Sequence, residues 1–436
     1  MKRYRVIFLL FAVLAVVVSC SQPFAGSEAT DPVAGSTGSA LPPDQINDVA
    51  RPPAGTFTFE TVFAVTLNLD VNLFETDENG RVVGDELASE SAAVFAILHD
   101  SEGNPIYSGK VSTDGTLNGV VILPSAREDI TMTLTAEGFE DRSIVISDMV
   151  ALSEVNRTMS LERIVPSDGS HLPRAAISGL LDSDGDGVPN VYDAFPKDPG
   201  SAFKIDFPAE GKLTIAFEDL FGEANAGDAD YNDFVAAYSI TETLNDTGLV
   251  TSITVSADAV TKLAGYDHRF GIRIDSFTDT ATLTGSFIDD EGASVSLGGT
   301  VSAPAEVVLF ENSRYAVEKS ASFTLTFAVP QDRGVATEGE TLSSAPYNPF
   351  AIVINTGHDI HLIGREPLTV LITSKNPDDT FVDGDGFPWA LLVPDQWDNP
   401  DEGQRIEIPY PRFTLWRELG GEEYSDWYLH SVEPVV

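Results

Sequence analysis

The chain has 436 residues, 25 of them basic and 68 acidic, for a formal charge of −43. Such a charge repels nucleic acid and anionic lipid surfaces and makes cations the natural partners, calcium above all outside the cytoplasm. Cys20 is the only cysteine, which excludes an intramolecular disulfide, a CxxC redox pair and a multi-cysteine zinc site.

At the N-terminus, Lys2, Arg3 and Arg5 precede an apolar run from Val6 to Val18, followed by Ser19 and Cys20. This is the profile of a secretory signal over residues 1–19. The run is shorter than the roughly twenty residues that a membrane-spanning helix needs. The segment Val17-Val18-Ser19-Cys20 resembles a bacterial lipobox. That resemblance implies cleavage before Cys20, lipid on its sulfur, and attachment of the mature chain to a membrane in the cell envelope. Ser21 stands where an aspartate retains some lipoproteins at the inner membrane, so the outer membrane is expected. Residues 20–55 are dominated by Gly, Pro, Ser, Thr and Ala and read as a flexible tether with a reach of roughly 30 Å.

From residue 56 to 163 the pattern changes to period two: TFTFETVFAVTLNLDVNLF, AVFAIL, GVVIL, ITMTLTA and SIVIS, separated by turns such as Asn79-Gly80. Short alternating runs rich in Val, Ile, Thr and Phe predict half-buried strands of an antiparallel sandwich. The stretch from His99 to Ile146, with its closing AEGFED, resembles the carboxypeptidase-regulatory, transthyretin-like sandwich. The resemblance implies a scaffold or spacer with no catalytic group.

Residues 164–201 form a linker containing DSDGDGVPNVYD, Asp182 to Asp193. Calcium takes six to eight oxygens, and Asp182, Asp184, Asp186, the Val188 carbonyl, Asn190 and Asp193 fall at loop positions that supply them. Gly187 stands where the chain must turn sharply. Pro189 removes a backbone N–H that paired EF-loops use, which argues against an EF-hand. With the following DAFPKDP, the segment resembles a single thrombospondin type 3 calcium repeat. Bound calcium is expected to stiffen the joint between the flanking domains.

From residue 202 to 436 strand patterns recur, among them KLTIAF, FVAAYSI, LVTSITVSA, TATLTGSFI, SFTLTFAV, FAIVI and LTVLI. The fold expected for the whole is all-β: two antiparallel sandwich domains, the second jelly-roll-like, joined by the calcium loop. The blocks FEDL and DADYNDF, then YNPFAIVINTGHDIHLIGREPLT, GFPWALLVPDQWDNPDEGQRIEIPYPRFTLW and SDWYLH resemble, in that order, the LruC-domain family of bacterial lipoproteins. The resemblance runs from about Asp182 to Tyr428 and implies a membrane-associated envelope or surface lipoprotein with no established activity.

Glu218, Asp219, Asp228, Asp230, Asn232 and Asp233 offer a possible second calcium site; the alternative is a polar loop capped by Asx turns and anchored by Tyr231 and Phe234. Asp383 and Asp385 read as a turn. His358 and His361, three apart on a strand, point to opposite faces and read as polar structural residues. Trp389, Trp397, Trp416 and Trp427, with Tyr410, Tyr424 and Tyr428, form either a packed core or a sugar-stacking platform.

No GxSxG elbow, HExxH helix or phosphate-binding glycine loop is present. The expected function is therefore a non-enzymatic, calcium-binding, lipid-anchored envelope protein presenting its sandwiches for structural or adhesive interaction with a glycan or protein ligand. A monomer is the expected state. The alternatives are a carbohydrate-binding adhesin that uses the C-terminal aromatics and, behind it, a glycoside hydrolase using two carboxylates.

Overall fold

The computed structural model describes residues 39–51, 57–89, 92–126, 129–165, 181–220, 227–332, 342–343, 345–375 and 377–432. The signal segment, Cys20 and the tether up to residue 38 lie outside the described residues, as does most of the linker before the acidic loop.

Ordered pairing begins before residue 55. β1 (Gln45–Ile46) and β2 (Val49–Ala50) both run antiparallel to β9 (Leu152–Ile164). These strands lie inside the segment, residues 20–55, expected as a tether. Ion pairs hold the added edge: Asp44 meets Arg142 at 2.6 Å and Asp48 meets Arg157. Arg51 donates to the carbonyls of Val150, Ala64 and Leu152. An open sheet edge recruits extended backbone whatever its composition.

The N-terminal sandwich has two sheets. In the first, β3 (Val62–Thr76) buries Val65, Leu67, Leu69, Val71 and Leu73, every second residue, as its alternation predicts. It pairs antiparallel with β6 (Thr116–Pro124) and parallel with β9. The parallel pair departs from the antiparallel expectation. β3 and β9 open and close this sandwich, and the intervening strands supply the long crossover that a parallel pair needs. The second sheet contains β4 (Val94–His99), β5 (Pro105–Lys110), β7 (Ile130–Ala136) and β8 (Arg142–Ile146), in the order β5-β4-β7-β8. Residues 57–60, which precede β3, form no strand; Phe57 and Phe59 leave the sandwich instead.

The C-terminal part is a twelve-stranded sheet that curls nearly closed. β10 (Phe203–Phe207) and β11 (Leu213–Phe217) pair in succession with one edge of β12 (Phe234–Leu244). The path continues through β13 (Val250–Thr261), β18 (Ser320–Gln331), β15 (Thr280–Ile288), β17 (Ala305–Phe310), β14 (His268–Ile274), β19 (Asn348–Val353) and β20 (His358–His361). β16 (Ser294–Ser302) flanks β15, and β21 (Ala390–Val393) closes the other end beside β11. LTVLI, expected as a strand, is a loop. Its backbone N–H groups bind a side chain, the Glu306 carboxylate, at 2.6 to 2.9 Å.

A short helix, α2 (Pro411–Glu418), packs Phe413 and Trp416 inward; α1 (Ser313–Ala316) is a single turn. Phe57 and Phe59 reach from the N-terminal sandwich onto Trp416, with ring centroids 4.8 and 5.6 Å away. Ser125 Oγ donates to the Ser425 carbonyl at 2.8 Å. Among the described residues, one large apolar core consequently runs through both parts, with a small separate cluster of Phe350, Ile352 and Leu368.

Candidate functional site

The acidic loop takes its shape from its own short polar side chains. Both Asp182 carboxylate oxygens accept backbone N–H groups, from Gly185 at 2.7 Å and Gly187 at 3.1 Å. Those two glycines have φ of 82° and 89°, a left-handed geometry that side chains with a Cβ rarely adopt. Asn190 ties the loop's end to its start, accepting from Ser183 N at 2.9 Å and donating to Ser183 Oγ at 2.9 Å. Val188, Tyr192 and Asp193 then face the protein. Val188 is fully buried, and Tyr192 stacks on Phe95 of β4.

This folding brings one oxygen each of Asp182, Asp184 and Asp186 within 4.8 Å of one another. The sealed oxygens carry more information than the proximity. Asp184 Oδ2, Asp186 Oδ2 and Asp193 Oδ2 are shielded from solvent and have no hydrogen-bond partner among the described residues. Burial, reinforced by neighbouring carboxylates, pushes the Asp186 and Asp193 carboxyls up from the ordinary aspartate range. Asp182 moves the other way, held down by the hydrogen bond from Gly185. Asp246, in the β12–β13 turn, adds to the negative potential at Asp186. The sequence pattern did not single it out, because it lies sixty residues along the chain from the loop's middle. Asn190 Oδ1 is taken up by Ser183 N, so this residue shapes the loop.

The residues fit calcium. The donors are all hard oxygens, several are deprived of other partners, and neutralising them would relieve their mutual repulsion. The loop is also tied to both halves of the fold. Lys110 Nζ donates to the Gly187 carbonyl at 3.1 Å, while Ala194 N donates to Ala202 O and Ala202 N to Leu244 O, at 2.8 and 2.7 Å.

The second acidic segment divides. Glu218, at the end of β11, meets Asp228 and Asp230, each offering an oxygen within 4.8 Å of the others. Asp219 turns away and pairs with buried His268 Nε2 at 3.1 Å; Asp233 Oδ2 accepts from Asp219 N at 2.6 Å. Burial is the first cause of raised carboxyl values here: Glu218 well above the ordinary range, Asp230 to about 6, and Asp233, beside Asp219, to about 8. Glu402, raised by burial and by the charges of Asp228 and Asp219, belongs to the same cluster and was missed in the sequence. Only the Asp-rich segment DNPDEG marked its neighbourhood.

Other sequence candidates are structural. Asp383 Oδ1 accepts from Asp385 N and Phe387 N at 2.9 and 2.7 Å, an Asx turn. His361 is buried between Asn348 Oδ1 at 2.7 Å and Asp359 Oδ2 at 3.3 Å, whereas half-buried His358 faces Thr356. All four tryptophans are buried, the most exposed at 4%. Trp397, Trp416 and Trp427 pack with Tyr410 and Phe413 in edge-to-face and tilted contacts. A cavity of about 220 Å³ is lined from both halves by apolar residues that include Ile106, Ile130, Phe207 and Leu213 and by the acidic Asp100, Glu102, Glu210 and Asp395.

These features define an all-β protein with an acidic, oxygen-donor loop at the junction of its two halves. Residues 248–428 match the model of a family described as "Domain of unknown function (DUF4842)". The matched region begins beyond the acidic loop and ends with the aromatic cluster. Among solved structures, the chain is similar to a protein described as a "Putative lipoprotein from Bacteroides ovatus", with a TM-score of 0.38 and 14% identity, over 80% of this chain and 98% of that one. No curated protein matches the chain. Among the described residues, no helix is long and apolar enough to cross a membrane.

Proposed function

We propose that this chain is a non-enzymatic, calcium-binding protein of the bacterial cell envelope, held to the outer membrane by lipid on Cys20, whose β-sandwiches present a surface for structural or adhesive interaction. One observation carries the calcium reading. Asp182, Asp184 and Asp186 converge within 4.8 Å while Asp184, Asp186 and Asp193 each keep a sealed, unpartnered carboxylate oxygen. Buried anionic oxygens are costly unless a cation or donor meets them.

Calcium at this position would act as a rivet. The loop contacts β4 through Tyr192 and β12 through Ala202, so a rigid loop couples the two halves of the molecule. The anchor rests on the sequence: the basic start, the apolar run and the lipobox-like Val17-Val18-Ser19-Cys20. Burial of the four tryptophans removes the stacking platform that a carbohydrate adhesin would use, so an interaction surface lies elsewhere on the sandwiches.

The test is a pair of melting curves of the mature chain, residues 20–436 without the lipid, in calcium and in chelator. A higher midpoint in calcium and slower proteolysis near Asp182 are expected; equal midpoints overturn the calcium reading. Mass spectrometry of the native protein tests the anchor separately, and an unmodified Cys20 overturns it.

A further inference from the structure

We propose that Glu218, Asp228 and Asp230 form a second divalent-cation site, of calcium-like chemistry, that clamps residues 228–232 onto the C-terminal segment around residues 398–406. A cluster of acids does not make a site, but two sealed atoms here point to a ligand. Glu218 is only 1% exposed. Its Oε1 accepts from Tyr231 N at 2.5 Å, while Oε2 is shielded from solvent and has no hydrogen-bond partner among the described residues. Asn232 is fully buried and its Oδ1 is likewise unpartnered, although its Nδ2 donates to the Pro400 carbonyl at 3.1 Å. Buried oxygens that no donor meets are what a hard cation binds in place of its hydration water.

The geometry also says what the ion would do. Asp230 Oδ2 accepts from Gly403 N at 2.7 Å, and Ile406 N donates to Ala229 O at 2.9 Å. Glu402 adds its charge to the cluster from the same segment. The turn that carries Asp228 and Asp230 is therefore laced to a stretch about 170 residues further along the chain, as in the Asp230–Gly403 separation of 173. Neutralising the carboxylates removes repulsion that would otherwise push the two stretches apart. Oxygen-only donors favour calcium over zinc, which prefers nitrogen and sulfur. This site stands apart from the loop at Asp182–Asp193 and does not depend on it.

The experiment counts calcium equivalents by equilibrium dialysis on the mature chain, on D184N/D186N, which disables the loop, and on the loop variant carrying E218Q or, separately, D228N. The expected counts are two, one, none and none, with circular dichroism confirming the fold of each variant. Asp228 is half-buried, so D228N keeps the test available if E218Q does not fold. A loop variant that binds no calcium overturns this inference while leaving the loop reading intact. One equivalent that survives both E218Q and D228N overturns it as well. An unaltered chain that binds no calcium overturns both.

Discussion

Tyr192, the next-to-last residue of the acidic loop, lies flat on Phe95 of β4, with ring centroids 4.5 Å apart and planes inclined by 20°. The loop's order is therefore felt directly by the N-terminal sandwich. Replacing Tyr192 with Ala is expected to lower stability by about 1 kcal/mol through the lost stack. It should also shrink the calcium-dependent rise in melting midpoint, because the loop then grips one half less firmly. Thermal melts with and without chelator measure both effects.

The loop carboxylates should behave differently from that packing residue. Ligand binding to the folded state adds about 2.7 kcal/mol at a hundredfold excess over the dissociation constant. In D184N/D186N this increment is expected to fall sharply. In chelator the same variant should be no less stable than the unaltered chain, since it removes like-charge repulsion. Urea unfolding in the two media separates these outcomes, and a variant with an undiminished calcium response would refute the assignment.

Trp416 joins the halves at a second place, packed edge-on against both Phe57 and Phe59. W416A removes a side chain that is 1% exposed, at an expected cost of about 3–5 kcal/mol. Calcium should still stabilise the variant, because the loop lies elsewhere. Chemical denaturation in calcium checks both statements.

The Glu306 side chain is shielded from solvent, pairs with Arg273 Nη1 at 3.0 Å, and accepts the N–H groups of Thr369, Val370 and Leu371. E306A leaves a buried guanidinium and three backbone donors without that acceptor. Arg273 keeps Asp275 and the Pro367 carbonyl as partners, so a loss of about 1–3 kcal/mol is expected, read as a shift of the urea midpoint.

His361 supplies a pH dependence. Burial holds its imidazole below the ordinary histidine value despite the neighbouring Asp359. Its folded form stays neutral while the unfolded form takes up a proton below about 6.5. Its contribution is thus complete above that pH and is lost as pH falls toward the folded value. Burial alone would raise Asp359, but hydrogen bonds from His361, Leu368 N and Ser374 outweigh it and hold the carboxyl below the usual range. Loss from Asp359 therefore starts only below about 4. The raised carboxyls of Glu218, Asp230 and Asp233 act in the opposite direction but equally in both chains, so the urea midpoint of the unaltered chain measured relative to that of H361Q should fall between pH 7.5 and 5.

The alternation of β3 and of ITMTLTA was enough to predict which side chains face the core, since strand geometry is local. LTVLI shows the limit. Its composition is that of a strand, but the Glu306 carboxylate captures its N–H groups, and nothing near Leu368 in sequence announces an acceptor sixty residues away. The convergence of the loop carboxylates was legible because Asp182, Asp184 and Asp186 are neighbours in the chain. In the second cluster the sequence offered six residues; the fold brings three together, turns Asp219 to His268, and adds Glu402.

What the sequence determined by itself is the all-β character and the oxygen-rich loop, because each depends on residues within a few positions of one another. What the tertiary structure decided is which carboxylate oxygens are sealed without partners, that Phe57 and Phe59 leave their own sandwich for Trp416, that β3 and β9 run parallel, and that the tryptophans are core. These depend on burial and on contacts between distant segments. Desolvation, which makes a carboxylate need a cation and an indole need a neighbour, exists only once the chain has closed around them.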